Sequence, residues 1–405
     1  MSSFRLSPSV LLSAVADGYL AYDVRTGQLH RLNPTASLIL ELCIAGRSPA
    51  QIEEDLRSAM PEYTEGVCAD WVNEAVRAGW LEPGTTPDRG DATTADALAA
   101  RAAELREADR VSAAYVCQQH AAQLAPEDAD IWCELGELAH ITDRRDEARV
   151  AYERCAALRP GDVEVEHLLI ALRDGPAPAR VSDQYLRSLY SRFSSFYDEN
   201  MVGDLEYCGP ALLERAMAPV LGARADLDIL DLGCGTGLAA AALRPRARRL
   251  VGVDLSEAMI DAARRRGSYD ALHVAEVTAF LAHDGLDAFH LITACDTLIY
   301  FGDLRQVVAP AARWLRPGGL FAFTAERSDV PPFQLTDSGR FTHHVDHVRE
   351  VASESALTVV SVDDGVLRYE YGRAVPALVV VLKAPDEVLA SSASVGPPAT
   401  ADRAP

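Results

Sequence analysis

Ile229-Leu230-Asp231-Leu232-Gly233-Cys234-Gly235-Thr236-Gly237 carries an apolar strand directly into three glycines spaced two apart, with the helix-like stretch Leu238 to Leu243 behind them. Without a Cβ, glycine lets main-chain N–H groups come close to a ligand at the mouth of the following helix. The next strand-like run, Arg249 to Val253, ends in Asp254, nineteen residues after Gly235. A carboxylate there can accept hydrogen bonds from both hydroxyls of a ribose. Strand, glycine turn, helix, strand and acid together predict an α/β sheet that holds a nucleoside-bearing cofactor.

The same alternation continues downstream. Ser256 is a good cap for a helix reaching Arg265, on which Met259 lies either against adenine or against the sheet. Ala271 to Val274 reads as a third strand running into Glu276-Val277, and Ala288 to Thr293 as a fourth running into Cys295-Asp296-Thr297-Leu298-Ile299-Tyr300-Phe301. That last position is the crevice rim where open α/β sheets place their chemistry. Trp314-Leu315-Arg316-Pro317-Gly318-Gly319-Leu320 then turns into a fifth strand, Phe321 to Thr324.

These motifs resemble the class I S-adenosylmethionine-dependent methyltransferases over about residues 180 to 383, with Asp231-Leu232-Gly233-Cys234-Gly235-Thr236-Gly237 as the most specific part. The resemblance implies an α/β Rossmann-like domain over 179–385 with a mostly parallel sheet, closed by an antiparallel hairpin of Val366 to Tyr371 and Ala377 to Leu382. It implies S-adenosyl-L-methionine as cofactor, with no metal. Its contacts would come from Asp231, Gly233, Cys234, Gly235, Gly237, Asp254, Leu255, Met259, Glu276, Val277 and Asp296. Glu276 occupies the family position near the adenine amino group, and the Val277 amide can serve the ring. In that family a helix ahead of the first strand lies over the methionine end. Here that place holds Tyr185, Leu189, Tyr190, Phe193, Phe196 and Tyr197, a stripe that spacing alone would assign to core; the resemblance makes Tyr190 and Tyr197 lid residues. A glycine-rich turn also fits an NAD-dependent dehydrogenase, but Glu276, the Leu-Arg-Pro-Gly-Gly turn and the lack of a second cofactor half favour the methyltransferase.

Methyl transfer needs a nucleophile aligned with the sulfonium methyl. A carboxylate acceptor needs no base. A hydroxyl or amine does, and Asp296 and Tyr300 are the nearest candidates, although Asp296 can equally bind or neutralise substrate or cofactor. Gly339-Arg340-Phe341-Thr342-His343-His344 resembles an active-site-facing loop, which adds His343 and His344 as catalytic candidates against a substrate-orienting or surface role. Transfer to oxygen is favoured, since no compelling base is apparent.

Residues 1–83 form a separate unit. Tyr19 to Val24 and Gln28 to Leu32 flank Thr26-Gly27 as a hairpin, Asn33 or Thr35 caps a helix over Ala36 to Cys43, and Pro49 to Ala59 and Gly66 to Gly79 read as two further helices. This winged-helix-like α+β layout, with His30-Arg31-Leu32-Asn33-Pro34-Thr35-Ala36 and Gly79-Trp80-Leu81, resembles the PqqD-like peptide-recognition domains of ribosomal peptide modification. It implies a groove for a leader peptide between the edge Gln28 to Leu32 and the wall Val67 to Ala78. DNA is a poor alternative, because the third helix carries Asp70 and Glu74 against Arg77 alone as a base. After a linker at 84–92, residues 93–178 repeat at thirty-four, Ala114 matching Ala148 and Pro126 matching Pro160. Trp132, Leu135, Gly136, Ala148 and Tyr152 stand at the spacings of a tetratricopeptide repeat, which they resemble. A peptide cradle and a rigid spacer are both open readings of this α-helical region. The tail 386–405 reads as disordered.

Sixty acidic against thirty-eight basic residues give a net charge of -22, which repels a polyanion and removes nucleic acid as a partner. No run of eighteen apolar residues and no signal segment occurs, and eight scattered cysteines without a Cys-x-x-Cys fit a reducing, cytoplasmic setting. The combined expectation is a methyltransferase tailoring a leader-bearing precursor peptide, with other peptide-modifying enzymes as further partners. The alternatives are a cofactor-binding scaffold for another modifying enzyme and a small-molecule methyltransferase.

Overall fold

The computed structural model describes residues 4–386 apart from 16–17, 60–62, 65, 85–93, 174, 195 and 286. The expected linker beyond Gly84 and tail beyond Asp386 therefore lie outside the described residues. Two units emerge, residues 1–172 and residues 173–405.

In the first unit, β1 (Phe4–Leu6), β2 (Val10–Val15), β3 (Gly18–Asp23) and β4 (Gln28–Leu32) precede α1 (Pro34–Ile44), α2 (Pro49–Ala59), α3 (Val67–Arg77) and β5 (Leu81–Pro83). Asn33 caps α1, its Oδ1 accepting from the Ala36 amide at 2.8 Å. β2, β3 and β4 form an antiparallel sheet in that order, and β1 pairs with β5. Strand β2 had no counterpart in the sequence reading. Five helices follow: α4 (Ala95–Glu107), α5 (Val111–Leu124), α6 (Ala129–Ile141), α7 (Arg145–Leu158) and α8 (Val163–Leu172). The starts of α4, α6 and α8 are each thirty-four residues apart, as are those of α5 and α7. Gly136 permits the close approach within this array, since a Cβ there would stand 2.6 Å from the Tyr152 ring.

The helices do not stand apart from the sheet. One sheet face, with Ala21 and Leu32, packs on α1 to α3. The other, with Leu11 and Tyr22, joins the core of the helical array. Arg101 Nε donates to Tyr22 Oη at 3.1 Å, and His120 Nε2 lies 2.8 Å from the Leu12 carbonyl. Residues 1–83 and the helical region thus form one compact unit instead of two separable ones.

The second unit begins with α9 (Asp183–Phe193), α10 (Tyr197–Glu199) running into a π-turn at Asn200–Asp204, and α11 (Gly209–Leu221). The Rossmann-like part is β6 (Leu227–Leu232), α12 (Ala240–Leu243), β7 (Ala247–Asp254), α13 (Glu257–Arg266), β8 (Ala271–Val274), α14 (Val277–Leu281), β9 (Phe289–Ala294), α15 (Arg305–Arg313) and β10 (Leu315–Arg327). β11 (Phe333–Leu335), β12 (Phe341–His343), α16 (Val345–Glu354), β13 (Thr358–Glu370) and β14 (Arg373–Lys383) complete it. Strands β8, β7, β6, β9 and β10 run parallel in that spatial order, β14 pairs antiparallel with β10, and β13 closes the sheet on β14. The Pro-Gly-Gly turn read from the sequence is an irregularity inside β10, where the register on β9 shifts between Leu315 and Leu320. Helices cover both faces, one core holding Leu230, Ile292 and Phe321 and the other Ile229, Leu291 and Leu320. The order reverses between β6 and β9, so their carboxyl ends splay apart and open a crevice.

Candidate active site

The glycine turn after β6 is forced by its neighbours. Gly233 has φ 66°, and a Cβ on it would lie 2.3 Å from Thr297 Oγ1. Thr297 cannot simply move, because that hydroxyl donates to the Leu232 carbonyl at 3.0 Å. Beneath the turn, a Cβ on Gly252 would meet Cys234 Sγ at 2.9 Å. Cys234 therefore points its side chain at the sheet and presents only main chain to the ligand side. Gly237, at φ 87°, would bring a Cβ to 3.0 Å from Tyr269; it is a packing position and lines neither cavity described below.

Asp254 ends β7 with its carboxylate already aimed. Oδ2 accepts from the Gly235 amide at 2.9 Å and Oδ1 from the Ser256 amide at 2.8 Å. Each oxygen keeps a lone pair for a ribose hydroxyl. Burial raises the Asp254 carboxyl above its ordinary range. Asp231 is buried under the turn, accepting from Thr293 Oγ1 at 2.8 Å and Tyr269 Oη at 2.7 Å, and burial pushes its carboxyl up to about 6.

A cleft of about 670 Å³ opens over these groups, and Gly233, Gly235, Asp254, Leu255, Met259 and Val277 line one part of it. Glu276 lines it too. Its Oε2 caps α14 by accepting from the Ala279 amide at 2.8 Å, while its buried Oε1 has no hydrogen-bond partner. An orphaned carboxylate oxygen costs free energy unless something donates to it, and an exocyclic adenine amine is the donor that fits. The chain's residues thus suit S-adenosylmethionine: Asp254 for the ribose and Glu276 for the base. A smaller cavity of about 320 Å³ shares Tyr197, Gly233, Gly235 and Cys295 and adds Asp231 and Cys234.

Tyr190 and Tyr197 reach the cleft from α9 and α10, and Tyr300 and Asp296 from the segment after β9. Tyr190 and Tyr300 are joined through their hydroxyls. The Tyr190 ring meets those of Tyr197 and Tyr300 edge-on at 6.0 and 6.1 Å. Burial raises all three phenols well above 10.0, so Tyr300 stays protonated near neutral pH and offers a hydrogen bond instead of a base. Asp198 anchors the lid segment to the glycine turn by accepting from Thr236 Oγ1 and Arg266 Nη2.

Asp296 adopts φ 55°, and Arg368 Nη1 donates to its two oxygens at 3.0 and 2.9 Å. Arg368 also bonds Glu326 and Glu370, the latter at 2.7 Å. Arg340 ties the same two acids, at 2.9 Å to Glu326 and 2.7 Å to Glu370. Burial raises the Asp296 carboxyl, with the Arg368 charge pulling it back. The sequence reading placed Arg340 in an active-site-facing loop without giving it a role and missed Glu326, Arg368 and Glu370; the available signal was a pair of charges, Arg368 and Glu370, alternating on one face of a closing strand.

His343 and His344 do not line the cleft. His343 is fully buried on β12, its Nε2 donating to the Phe301 carbonyl at 2.8 Å, and burial pulls its pKa down to about 4. His344 caps α16 through Nδ1, accepting from the Asp346 amide at 3.2 Å. The short strand and the helix start that carry them leave both rings off the lining of this cleft. Among the described residues no cluster of three or more His, Cys, Asp or Glu could hold a metal.

The family described as a methyltransferase domain matches residues 230–321. Malonyl-[acyl-carrier protein] O-methyltransferase of Salmonella typhimurium is 30% identical over 146 residues, covering 36% of this chain and 55% of that protein. The dTDP-4-amino-2,3,4,6-tetradeoxy-D-glucose N,N-dimethyltransferase of Saccharopolyspora spinosa is 31% identical over 141 residues, 32% of this chain and 53% of that protein. The chain spans about half the length of the curated relatives it matches. A solved structure of 1,6-didemethyltoxoflavin-N1-methyltransferase of Burkholderia thailandensis, with bound 1,6-didemethyltoxoflavin and S-adenosylhomocysteine, is 23% identical, covers 53% of this chain and 94% of that one, and has a TM-score of 0.41. The second unit carries a class I S-adenosylmethionine-dependent methyltransferase domain, and S-adenosylmethionine is its cofactor.

Proposed function

We propose that the chain transfers a methyl group from S-adenosylmethionine to a small-molecule acceptor. The observation that carries this reading is the division of one cleft into two halves. Asp254 and the orphaned Glu276 Oε1 suit a nucleoside in one, and Tyr190, Tyr300 and Asp296 wall the other. The relatives support the acceptor class, since their names specify a carrier-bound malonyl group and a nucleotide sugar as what they methylate. Bound there, S-adenosylmethionine supplies an electrophilic methyl group on a cationic sulfur. The chain's own part is to hold the ribose and adenine, close Tyr190 and Tyr197 over the reacting end, and orient the acceptor at Asp296 with water excluded. Asp231 and Cys234 line the adjoining smaller cavity, and Gly237 serves the turn through its backbone.

A second reading keeps the peptide. Strand β4 pairs only with β3 among the described residues, which leaves one edge of Gln28–Leu32 open to an added strand. One experiment separates the two. Cell extract is incubated with the protein and trideuteromethyl S-adenosylmethionine, and products are sorted by mass spectrometry. A three-deuterium methyl tag on a metabolite supports the first reading. A tag confined to a ribosomal peptide would replace it with the second.

A further inference from the structure

Asp296, Glu326 and Glu370 set three carboxylates against the two guanidiniums of Arg340 and Arg368, leaving one negative charge in the cluster. Its inner end is nearly dry, with side-chain exposure of 4% for Arg368, 6% for Glu326 and 10% for Asp296, while Arg340 and Glu370 at the outer end are 22% and 25% exposed. The cluster touches the cleft through Asp296, beside the rings of Tyr190, Tyr197 and Tyr300. The Tyr190 ring stands edge-on to those of Tyr197 and Tyr300, so neither stacks flat against it. An aromatic face attracts an alkylated cation, most strongly where water is excluded. A carboxylate or phosphate placed here would instead meet a like charge at low dielectric.

From this juxtaposition we infer that the acceptor half of the cleft takes an alkylammonium, and that the methyl acceptor is a basic amine. The inference rests on the methyltransferase reading and departs from the expectation of an oxygen acceptor. Before transfer the ammonium gives one proton to the Asp296 carboxylate, converting a cation beside an anion into two neutral partners. The freed nitrogen lone pair forms the bond to the methyl carbon as the carbon–sulfur bond breaks with its electron pair left on sulfur. Asp296 returns its proton to water when the methylated ammonium leaves.

Titration calorimetry on the full chain saturated with S-adenosylhomocysteine tests this with two probes of one shape, choline and its uncharged isostere 3,3-dimethylbutan-1-ol. Choline is expected to bind about tenfold more tightly than the isostere. Glu370→Gln makes the cluster neutral without altering a residue that lines the cleft, and is expected to shrink that ratio at least about threefold while leaving the isostere unchanged. Tyr300→Leu weakens choline through the lost ring face. Equal binding of the two probes by the parent chain overturns the inference. So does choline that binds only when S-adenosylhomocysteine is absent, because the onium served is then the cofactor's sulfonium. Failure of S-adenosylhomocysteine itself to bind would sink the methyltransferase reading, which is a separate result.

Discussion

Replacing Arg368 with Met keeps the length of the buried side chain and removes its charge. Glu326 and Glu370 retain Arg340, so the loss falls on Asp296, whose ion pair in the structure is with Arg368. Breaking a buried pair in this way costs about 3–5 kcal/mol. The carboxyl can escape part of that by taking a proton in the folded state, which sets a ceiling. Holding a group of unfolded pKa near 3.9 neutral at pH 7 costs about 4 kcal/mol, and at pH 5 about 1.5 kcal/mol. The sign follows: an acid whose folded pKa is raised destabilises above its unfolded pKa, so the deficit of Arg368→Met grows from pH 5 to pH 7. For a unit of this size each kcal/mol moves the midpoint by about 2–4 °C. The expected loss is about 8–16 °C at pH 7 and about 3–6 °C at pH 5. Scanning calorimetry would follow the transition that saturating S-adenosylhomocysteine displaces, each variant being compared with the parent at the same pH. A deficit that stays constant across this range, or one below about 1 kcal/mol at pH 7, would refute an uncompensated Asp296 as the cause.

Glu276→Ala removes the cap of α14, at about 1 kcal/mol, and the oxygen assigned to the adenine amine. The parent is expected to bind S-adenosylhomocysteine about tenfold more tightly than the inosine analogue, which lacks that amine, and the gap should vanish in the variant; titration calorimetry reads both. His343 is buried neutral with its pKa lowered to about 4. A histidine depressed on folding contributes stability that is present above its unfolded pKa and is lost as the pH falls towards the folded value. The parent should therefore lose about 3 kcal/mol between about pH 6.5 and pH 4 through this group, and His343→Gln should lack that component in urea titrations across the range.

Local motifs made half of the site legible. Gly233, Gly235 and Asp254 lie within one strand–turn–strand, and Glu276 follows the next strand, so sequence order and spatial order coincide. The burial of His343 was not legible because a three-residue strand decides its direction, and that strand exists only through pairing with β10 and β11. The cover over the hairpin's second face was missed for a different reason. In Gly18–Asp23 the run Leu20-Ala21-Tyr22 has no polar alternation. A strand apolar on both sides calls for cover on both faces; that signal was present, and the helical array is the cover it called for.

The acceptor half had no comparable signature, because its charges are assembled from afar. Arg368 reaches back 42 residues to Glu326 and 72 to Asp296. The same fact bears on what the relatives can say about this chain. The family match spans residues 230–321 and stops before Glu326, Arg340, Arg368 and Glu370. It covers the cofactor turn, Asp254, Glu276 and Asp296 itself, but none of the four residues that set the charge behind Asp296. Two chains alike over that stretch can still present opposite fields to an acceptor. Strands β10 and β13 and the turn before β12 are therefore where a difference in acceptor between this chain and its relatives would be written.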